Sequence, residues 1–308
     1  MELTSESRRL PGVSARVVPL SEATPRPRRV AIGTFDGVHL GHREVISGAD
    51  TVVTFEPHPL AVLHPASTPR LLTTLERKAE LLGDCGVQEL VVVPFDRRTA
   101  GLSAQDFIDQ VLVGALSATH VSVGENFRFG HKAQGDPTLL AADGRFQTRV
   151  EPLLEVDGEI VSSSHIRGLI LGGAVEYAGR LLGAPFLVAG EVAHGDERGR
   201  MLGFPTANLV PPEGFAIPGH GVYAARATTT DGGRHVAAVN VGVRPMFVTG
   251  RGELIEAYLV DFEGDLYGSV LRIEFLKRLR GEKRFGALDE LVEQMGRDVD
   301  DAVAVAGS

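Results

Sequence analysis

The hydrophobic period of this sequence changes partway along the chain, so no single uniform architecture accommodates all of it. Before residue 183, short β-branched runs alternate with apolar residues at helical spacing. Arg29–Thr34 is predicted to be a strand running into a turn rich in glycine and histidine, and Thr51–Phe55 a second strand. Leu71, Leu72, Leu75, Ala79 and Leu82 recur at helical spacing and are closed by Gly83 and Gly86. Glu89–Pro94 and Thr119–Val123 are further strands. Ser103 and Asp106 form a capping box ahead of Phe107, Val111 and Leu112, and Asp136–Pro137 reads as the cap and first residue of a short helix. Alternation of this kind predicts an α/β unit, a parallel sheet with helices on both faces. Ligands in such sheets bind beyond the carboxyl ends of the strands.

From Phe186 onward short strands dominate: Phe186–Val192, Val222–Thr228, His235–Val241, Ile255–Val260 and Ser269–Phe275. Spaced strands without helices between them predict a small antiparallel β-barrel, with Asp231-Gly232-Gly233 as a hairpin turn. A terminal helix carries Leu288, Leu291, Val292, Met295 and Val299 on one face, which is expected to pack on the barrel. The boundary falls near Gly183, giving domains of 1–183 and 184–308, sizes that suit a chain of 308 residues. Pro25–Arg29 reads as a mobile lead-in.

Composition narrows the function classes. A net charge of -9 argues against nonspecific nucleic-acid binding, which needs a basic face, but leaves nucleotide binding open. The sequence has no apolar run long enough to span a membrane and no secretory stretch at its start. The single cysteine, Cys85, cannot form an intrachain disulfide. A cytoplasmic protein acting on small molecules, as a monomer or transient homo-oligomer, is expected.

Two stretches carry chemistry in the first half. In Gly33-Thr-Phe35-Asp36-Gly37-Val-His39-Leu-Gly41-His42, two histidines flank a glycine between a strand and a helix. The glycines let backbone approach a ligand, and histidines there can donate hydrogen bonds to charge growing on a phosphoryl group. The plain alternative is a glycine turn with two surface histidines. Ser162-Ser163-Ser164-His165-Ile166-Arg167 offers hydroxyls and a guanidinium for phosphate oxygens, unless Ser164 simply caps a helix and Arg167 is solvated. Phe127 and Phe129, in the loop Gly124–Gly130, either pack in the core or line a pocket.

In the second half, Gly195, Gly199 and Gly203 make a flexible loop suited to polyphosphate, without the Gly-Lys-Ser/Thr of a Walker loop. Behind it, Thr206 and Asn208 supply neutral oxygens on one side of an extended segment, fit to complete a Mg²⁺ shell shared with ATP phosphates. Glu256 lies in an otherwise apolar strand, as a general base or an ion-pair partner.

Together these pieces resemble the prokaryotic bifunctional riboflavin kinase/FAD synthetases (FMN adenylyltransferases), roughly from Arg29 to Ala302. The first half matches in Gly33, Phe35-Asp36-Gly37, His39-x-Gly41-His42, Thr54-Phe55-Glu56-Pro57-His58-Pro59, the loop Asn126–Gly130 with Gly135-Asp136, and Ser162-Ser163-Ser164 with Ile166-Arg167. The second half matches from the glycine run through Pro205-Thr206-Ala207-Asn208, Gly221-Val-Tyr223, Asn240-Val-Gly242, Glu256 and Asp261–Gly268 to Arg280-x-Glu282-Lys283-x-Phe285. Val243 and Met246 stand where the family usually has threonine, and fewer residues than usual separate His42 from Thr51.

The resemblance implies a Rossmann-like nucleotidylyltransferase domain followed by a kinase barrel, with ATP as co-substrate and flavins as substrates and products. His39 and His42 would stabilise the adenylyl-transfer transition state. Gly33, Phe35, Asp36, Gly37, Gly41 and Asn126 would form the nucleotide site, with Ser164 and Arg167 on the outgoing phosphates. Thr206 and Asn208 would bind Mg²⁺-ATP, Gly195, Gly199 and Gly203 would let the loop close, and Glu256 would take the proton from the riboflavin 5′-hydroxyl. A kinase that adenylylates poorly, or a non-catalytic flavin- or nucleotide-binding regulator, are the other readings. The regulator would be marked by loss of Glu256, Asn208 or His42, and all three are present.

Overall fold

The computed structural model describes residues 14–194, 204–243, 253–283 and 285–307. The chain divides into two compact units, Met1–Ser163 and Ser164–Ser308.

The first unit is a six-stranded sheet of β1 (Arg16–Pro19), β2 (Arg28–Ile32), β3 (Thr51–Glu56), β4 (Glu89–Pro94), β5 (Ala118–Gly124) and β6 (Gln147–Glu151). The strand order is β1-β4-β3-β2-β5-β6, and every neighbouring pair is parallel. Connecting it are α1 (Leu40–Ile46), α2 (Pro59–Leu63), α3 (Leu75–Asp84), α4 (Arg97–Ala100), α5 (Ala104–Phe107), which runs on as a π-helix over Ile108–Ala115, and α6 (Pro137–Ala142). The period-two alternation of the strands explains the two helical layers. Val30, Ile32, Val53, Phe55, Val91, Val93, Val121 and Val123 pack with Phe107, Ile108, Leu112 and Leu140 on one face. Ala31, Val52 and Leu90 pack with Val45, Ile46, Ala79 and Leu82 on the other.

Several local expectations are corrected. Pro25–Arg29 is not a mobile lead-in, because Arg28 and Arg29 belong to β2 and Arg28 is buried, and Arg16–Pro19 ahead of it pairs with β4 at the sheet edge. Leu71 and Leu72 precede α3, which starts at Leu75 on the Thr74 cap. The sheet gains β6, and β7 (Glu155–Val156) with β8 (Glu159–Ile160) forms a small hairpin. Buried Arg28 donates from Nε and Nη2 to Glu89 Oε2 at 3.2 and 3.1 Å, linking β2 to β4. Burial raises the pKa of Glu89, but hydrogen bonds from Arg16, Arg26 and Arg28 hold it below the usual carboxylate range.

The second unit holds α7 (Ser163–Gly172, from its second residue), α8 (Val175–Leu182) and a closed antiparallel barrel ending in a helix. The barrel strands are β9 (Phe186–Ala193), β10 (Thr206–Val210), β11 (Gly221–Thr228), β12 (Arg234–Val243), β13 (Glu253–Leu259) and β14 (Val270–Arg280), closed in the order β10-β13-β12-β11-β14-β9. The boundary near Gly183 lies after α8, which packs against β9 and β14, whereas the compact units divide before it. The terminal helix α9 (Leu288–Ala306) lies on β11, β12 and β14, as its apolar face leads one to expect. Of the five residues expected on its contact face, Leu291, Val292, Met295 and Val299 are half-buried and only Leu288 is exposed, while Asp298 and Ala302 are its buried residues. The helix is anchored by Arg280, whose Nε and Nη2 donate to Asp298 at 2.8 and 2.7 Å.

Candidate functional site

In the first unit the chain leaves β2 towards β3 and β4 on one side, then returns to place β5 on the other side of β2. The direction of winding reverses between β2 and β5, and the crevice beyond their carboxyl ends is the place where such sheets bind ligands. Two of the marked stretches lie there: Gly33–His42 follows β2, and Gly124–Gly130 follows β5.

The turn after β2 is strained. Phe35 and Val38 have φ of 47° and 43°, conformations that side chains rarely adopt, and Gly37 has φ of 90°. Phe35 is buried with its ring against Gly33, where an added Cβ would lie 3.1 Å from it. Asp36 turns its carboxylate inward, accepting from the backbone N–H of Leu72 at 2.8 Å and of Thr73 at 3.1 Å. Gly37 donates its N–H to Thr73 Oγ1 at 3.1 Å. The loop is thereby fastened to the segment leading into α3.

His39 caps α1, and its Nδ1 accepts from the N–H of His42 at 3.2 Å. That bond leaves the ring proton on Nε2, the other edge of the imidazole. The His39 and His42 rings stack with centroids 3.5 Å apart, and Phe35 presents its edge to His42 at 5.2 Å. Burial lowers the pKa of His39 to about 4. Burial, then His39, then Lys78 push His42 well below its ordinary value of 6.5. Both rings are therefore neutral near pH 7 and available as hydrogen-bond donors rather than cations. His42 Nδ1 is buried and has no hydrogen-bond partner among the described residues.

Asn126 is exposed in the turn following β5. Phe129 belongs to the core, and Phe127 stacks on it at 5.5 Å, which is the packing alternative for this pair. Ser163 donates its hydroxyl to the Asp36 carbonyl at 2.9 Å. Ser164, exposed, and Arg167, half-buried, lie three residues apart on α7 in the second unit, a spacing that puts them on one face. Ser164 sits inside the first turn of that helix rather than at its cap. Lys78 is the residue that sequence reasoning missed: it is buried, and its Nζ donates to the Thr34 carbonyl at 2.8 Å and to Thr54 Oγ1 at 3.3 Å.

In the second unit, Ala207, Leu209, Val239, Val241, Ile255, Ala257 and Leu259 are buried, so the alternate residues form the outer face of the barrel wall. Asn208 on β10 is paired with Glu256 on β13, and Glu256 in turn with Asn240 on β12. Thr206 is paired with Tyr258 on the same face. The Asn208 side chain is buried against this face, and its Oδ1 has no hydrogen-bond partner among the described residues. Glu256 is half-buried beside it. At the next step along β12, a Cβ on Gly242 would lie 2.8 Å from Glu282 Oε1, so that carboxylate approaches the backbone closely. Gly195, Gly199, Gly203 and Met246 lie outside the described residues, as does the side chain of Val243. Among the described residues no group of three or more His, Cys, Asp and Glu side chains could hold a metal ion.

Comparison with known proteins bears on both units. Residues 21–165 match the FAD synthetase family and residues 182–306 the riboflavin kinase family. A Bacillus subtilis bifunctional riboflavin kinase/FMN adenylyltransferase is 40% identical over 290 residues, covering 89% of this chain and 91% of the relative. The Escherichia coli K12 protein of the same name is 38% identical over 292 residues, covering 91% and 93%. A crystal structure from Streptococcus pneumoniae, titled a macrolide-efflux protein, has a TM-score of 0.84 at 30% identity and covers 93% of this chain and 98% of its own. Among the described residues no helix here is long and apolar enough to cross a membrane.

Proposed function

The chain belongs to the bifunctional riboflavin kinase/FMN adenylyltransferase family, and on that premise we propose which of its residues carry each step. It is an enzyme of flavin biosynthesis that uses ATP to phosphorylate riboflavin to FMN and to adenylylate FMN to FAD. Adenylylation is assigned to residues 1–183 and phosphorylation to residues 184–308. The observation that carries the assignment is the placement of the two neutral histidines in one compact unit and the Asn208–Glu256 pair in the other.

In adenylylation, an oxygen of the FMN phosphate attacks the α-phosphorus of ATP, and pyrophosphate leaves. No proton need be abstracted from a phosphate monoester, so the protein contributes positioning and charge stabilisation. His39, with its proton on Nε2, and His42 donate hydrogen bonds to the α-phosphate oxygens as charge builds on them. Gly33, Gly37 and Gly41 give the nucleotide access to backbone. Phe35 and Asp36 hold that turn in shape, Asn126 approaches the reacting phosphates, and Ser164 and Arg167 are phosphate ligands for this step.

In phosphorylation, Glu256 takes the proton of the riboflavin 5′-hydroxyl as its oxygen attacks the γ-phosphorus of ATP, and ADP leaves. The Oδ1 of Asn208, without a partner among the described residues, and the Thr206 hydroxyl two residues away are an oxygen-only donor set that fits Mg²⁺. Bound there with ATP, Mg²⁺ would supply neutralisation of phosphate charge. Gly195, Gly199 and Gly203 allow the preceding loop to approach the phosphates.

The test is to supply each substrate separately. With ATP and Mg²⁺, riboflavin should give FMN and then FAD, and added FMN should give FAD directly. FMN without FAD would restrict the enzyme to its kinase half, and no product from either flavin would remove both assignments.

A further inference from the structure

We propose that Lys78 is a positioning residue for adenylylation, tying the strained turn that carries His39 and His42 to the end of β3. This rests on the reading of the first unit as the adenylylation site.

Lys78 is on α3, remote in sequence from the turn, yet only 6% of it is exposed. Its Nζ donates to the Thr34 carbonyl, one residue before Phe35, and to the hydroxyl of Thr54 on β3. The Thr54 hydroxyl donates to the same Thr34 carbonyl at 3.1 Å, so three groups close a small buried triangle at the carboxyl ends of β2 and β3. Burial lowers the pKa of Lys78, and the carboxylates of Asp36 and Glu56 oppose that shift. An amine in such a place is a poor source of stability, since taking a charge out of water costs more than a hydrogen bond returns. Its geometric effect is specific: Thr34 is held from below while Phe35 and Val38 adopt left-handed backbone conformations above it. Release of that tie would let the turn relax and shift both imidazoles from the phosphate oxygens they serve. Small misplacements of this kind cost rate more than substrate binding.

The experiment compares wild type with Lys78→Met, Thr54→Val and Thr54→Ser, measuring kcat and KM for FMN and ATP in FAD formation. Riboflavin phosphorylation is measured on the same preparations. Lys78→Met should lower kcat for FAD formation about 100-fold and Thr54→Val about 10-fold, with KM changed by less than about 3-fold. Thr54→Ser, which keeps the hydroxyl, should stay near wild type, and phosphorylation should be unchanged throughout. If Lys78→Met fails to fold by near-UV circular dichroism, the Thr54→Val and Thr54→Ser pair decides. An unchanged kcat in a folded Lys78→Met protein, or equal activity of the two Thr54 variants, overturns the proposal. So does a raised KM for ATP at constant kcat, which would make Lys78 a substrate ligand. Wild-type protein that makes no FAD would overturn the adenylylation reading, and this proposal with it.

Discussion

Asn208 on β10 stands directly opposite Glu256 on β13, so a carboxylate and an amide oxygen with no partner among the described residues share one patch of the barrel's outer face. The general base proposed at Glu256 would act on the riboflavin hydroxyl alone. Glu256→Gln should therefore lower riboflavin phosphorylation by about 100-fold to 10,000-fold. FAD formation from added FMN should persist. Separate assays with riboflavin and with FMN distinguish this from a general loss of folding.

Asn208→Ala removes the oxygen without touching the base. Its expected effect is a rise of about tenfold in the Mg²⁺ concentration needed for half-maximal phosphorylation, equivalent to ~1.4 kcal/mol. A Mg²⁺ titration at fixed riboflavin checks it. An unchanged requirement would place the metal elsewhere.

Acid should weaken the first unit through its histidines. The pKa of His39 is lowered from 6.5 to about 4 by burial, and that of His42 is lowered well below its ordinary value, chiefly by burial. Between pH 6.5 and 4 the unfolded chain takes up a proton at His39 that the folded chain refuses. Stability is therefore full above pH 6.5 and falls as the pH drops through that window, by roughly 3 kcal/mol for His39 alone. Urea unfolding at pH 7 and pH 5 measures it, and His39→Asn should show a shallower dependence.

How far the sequence revealed these sites depends on the range of the signal. The turn from Gly33 to His42 and the segment from Thr206 to Asn208 are local, and their glycines, histidines and polar oxygens are visible as a run. Lys78 was not singled out, although helical spacing puts it on one face with Leu75, Ala79 and Leu82, because a lysine in such a stripe ordinarily carries its amine out to water. Its burial depends on Thr34 and Thr54, which only the sheet register brings near. β1 escaped for a related reason: Val18 is its one buried residue, too little to make a pattern. On α9 the apolar spacing was legible, with Leu291, Val292, Met295 and Val299 half-buried, but the buried Asp298 was not, because its partner Arg280 comes from β14.

That ion pair makes a prediction of its own. Asp298 is buried and also accepts from Gln294 Nε2 at 3.0 Å, so its loss strands the Arg280 guanidinium beneath α9. Asp298→Ala should destabilise the second unit by roughly 3 kcal/mol. Urea unfolding followed by circular dichroism tests this, and a loss under about 0.5 kcal/mol, the range of ordinary surface substitutions, would show that α9 is held by packing alone.

The separation of the two chemistries is tested most directly by one time course. His42→Ala and wild type are incubated with riboflavin, ATP and Mg²⁺, and the flavins are resolved by chromatography. The two-site account predicts FMN appearing at the wild-type rate while FAD formation falls by about 100-fold or more. If FMN and FAD formation fall together in a folded protein, the two steps do not have separate sites and the account is contradicted.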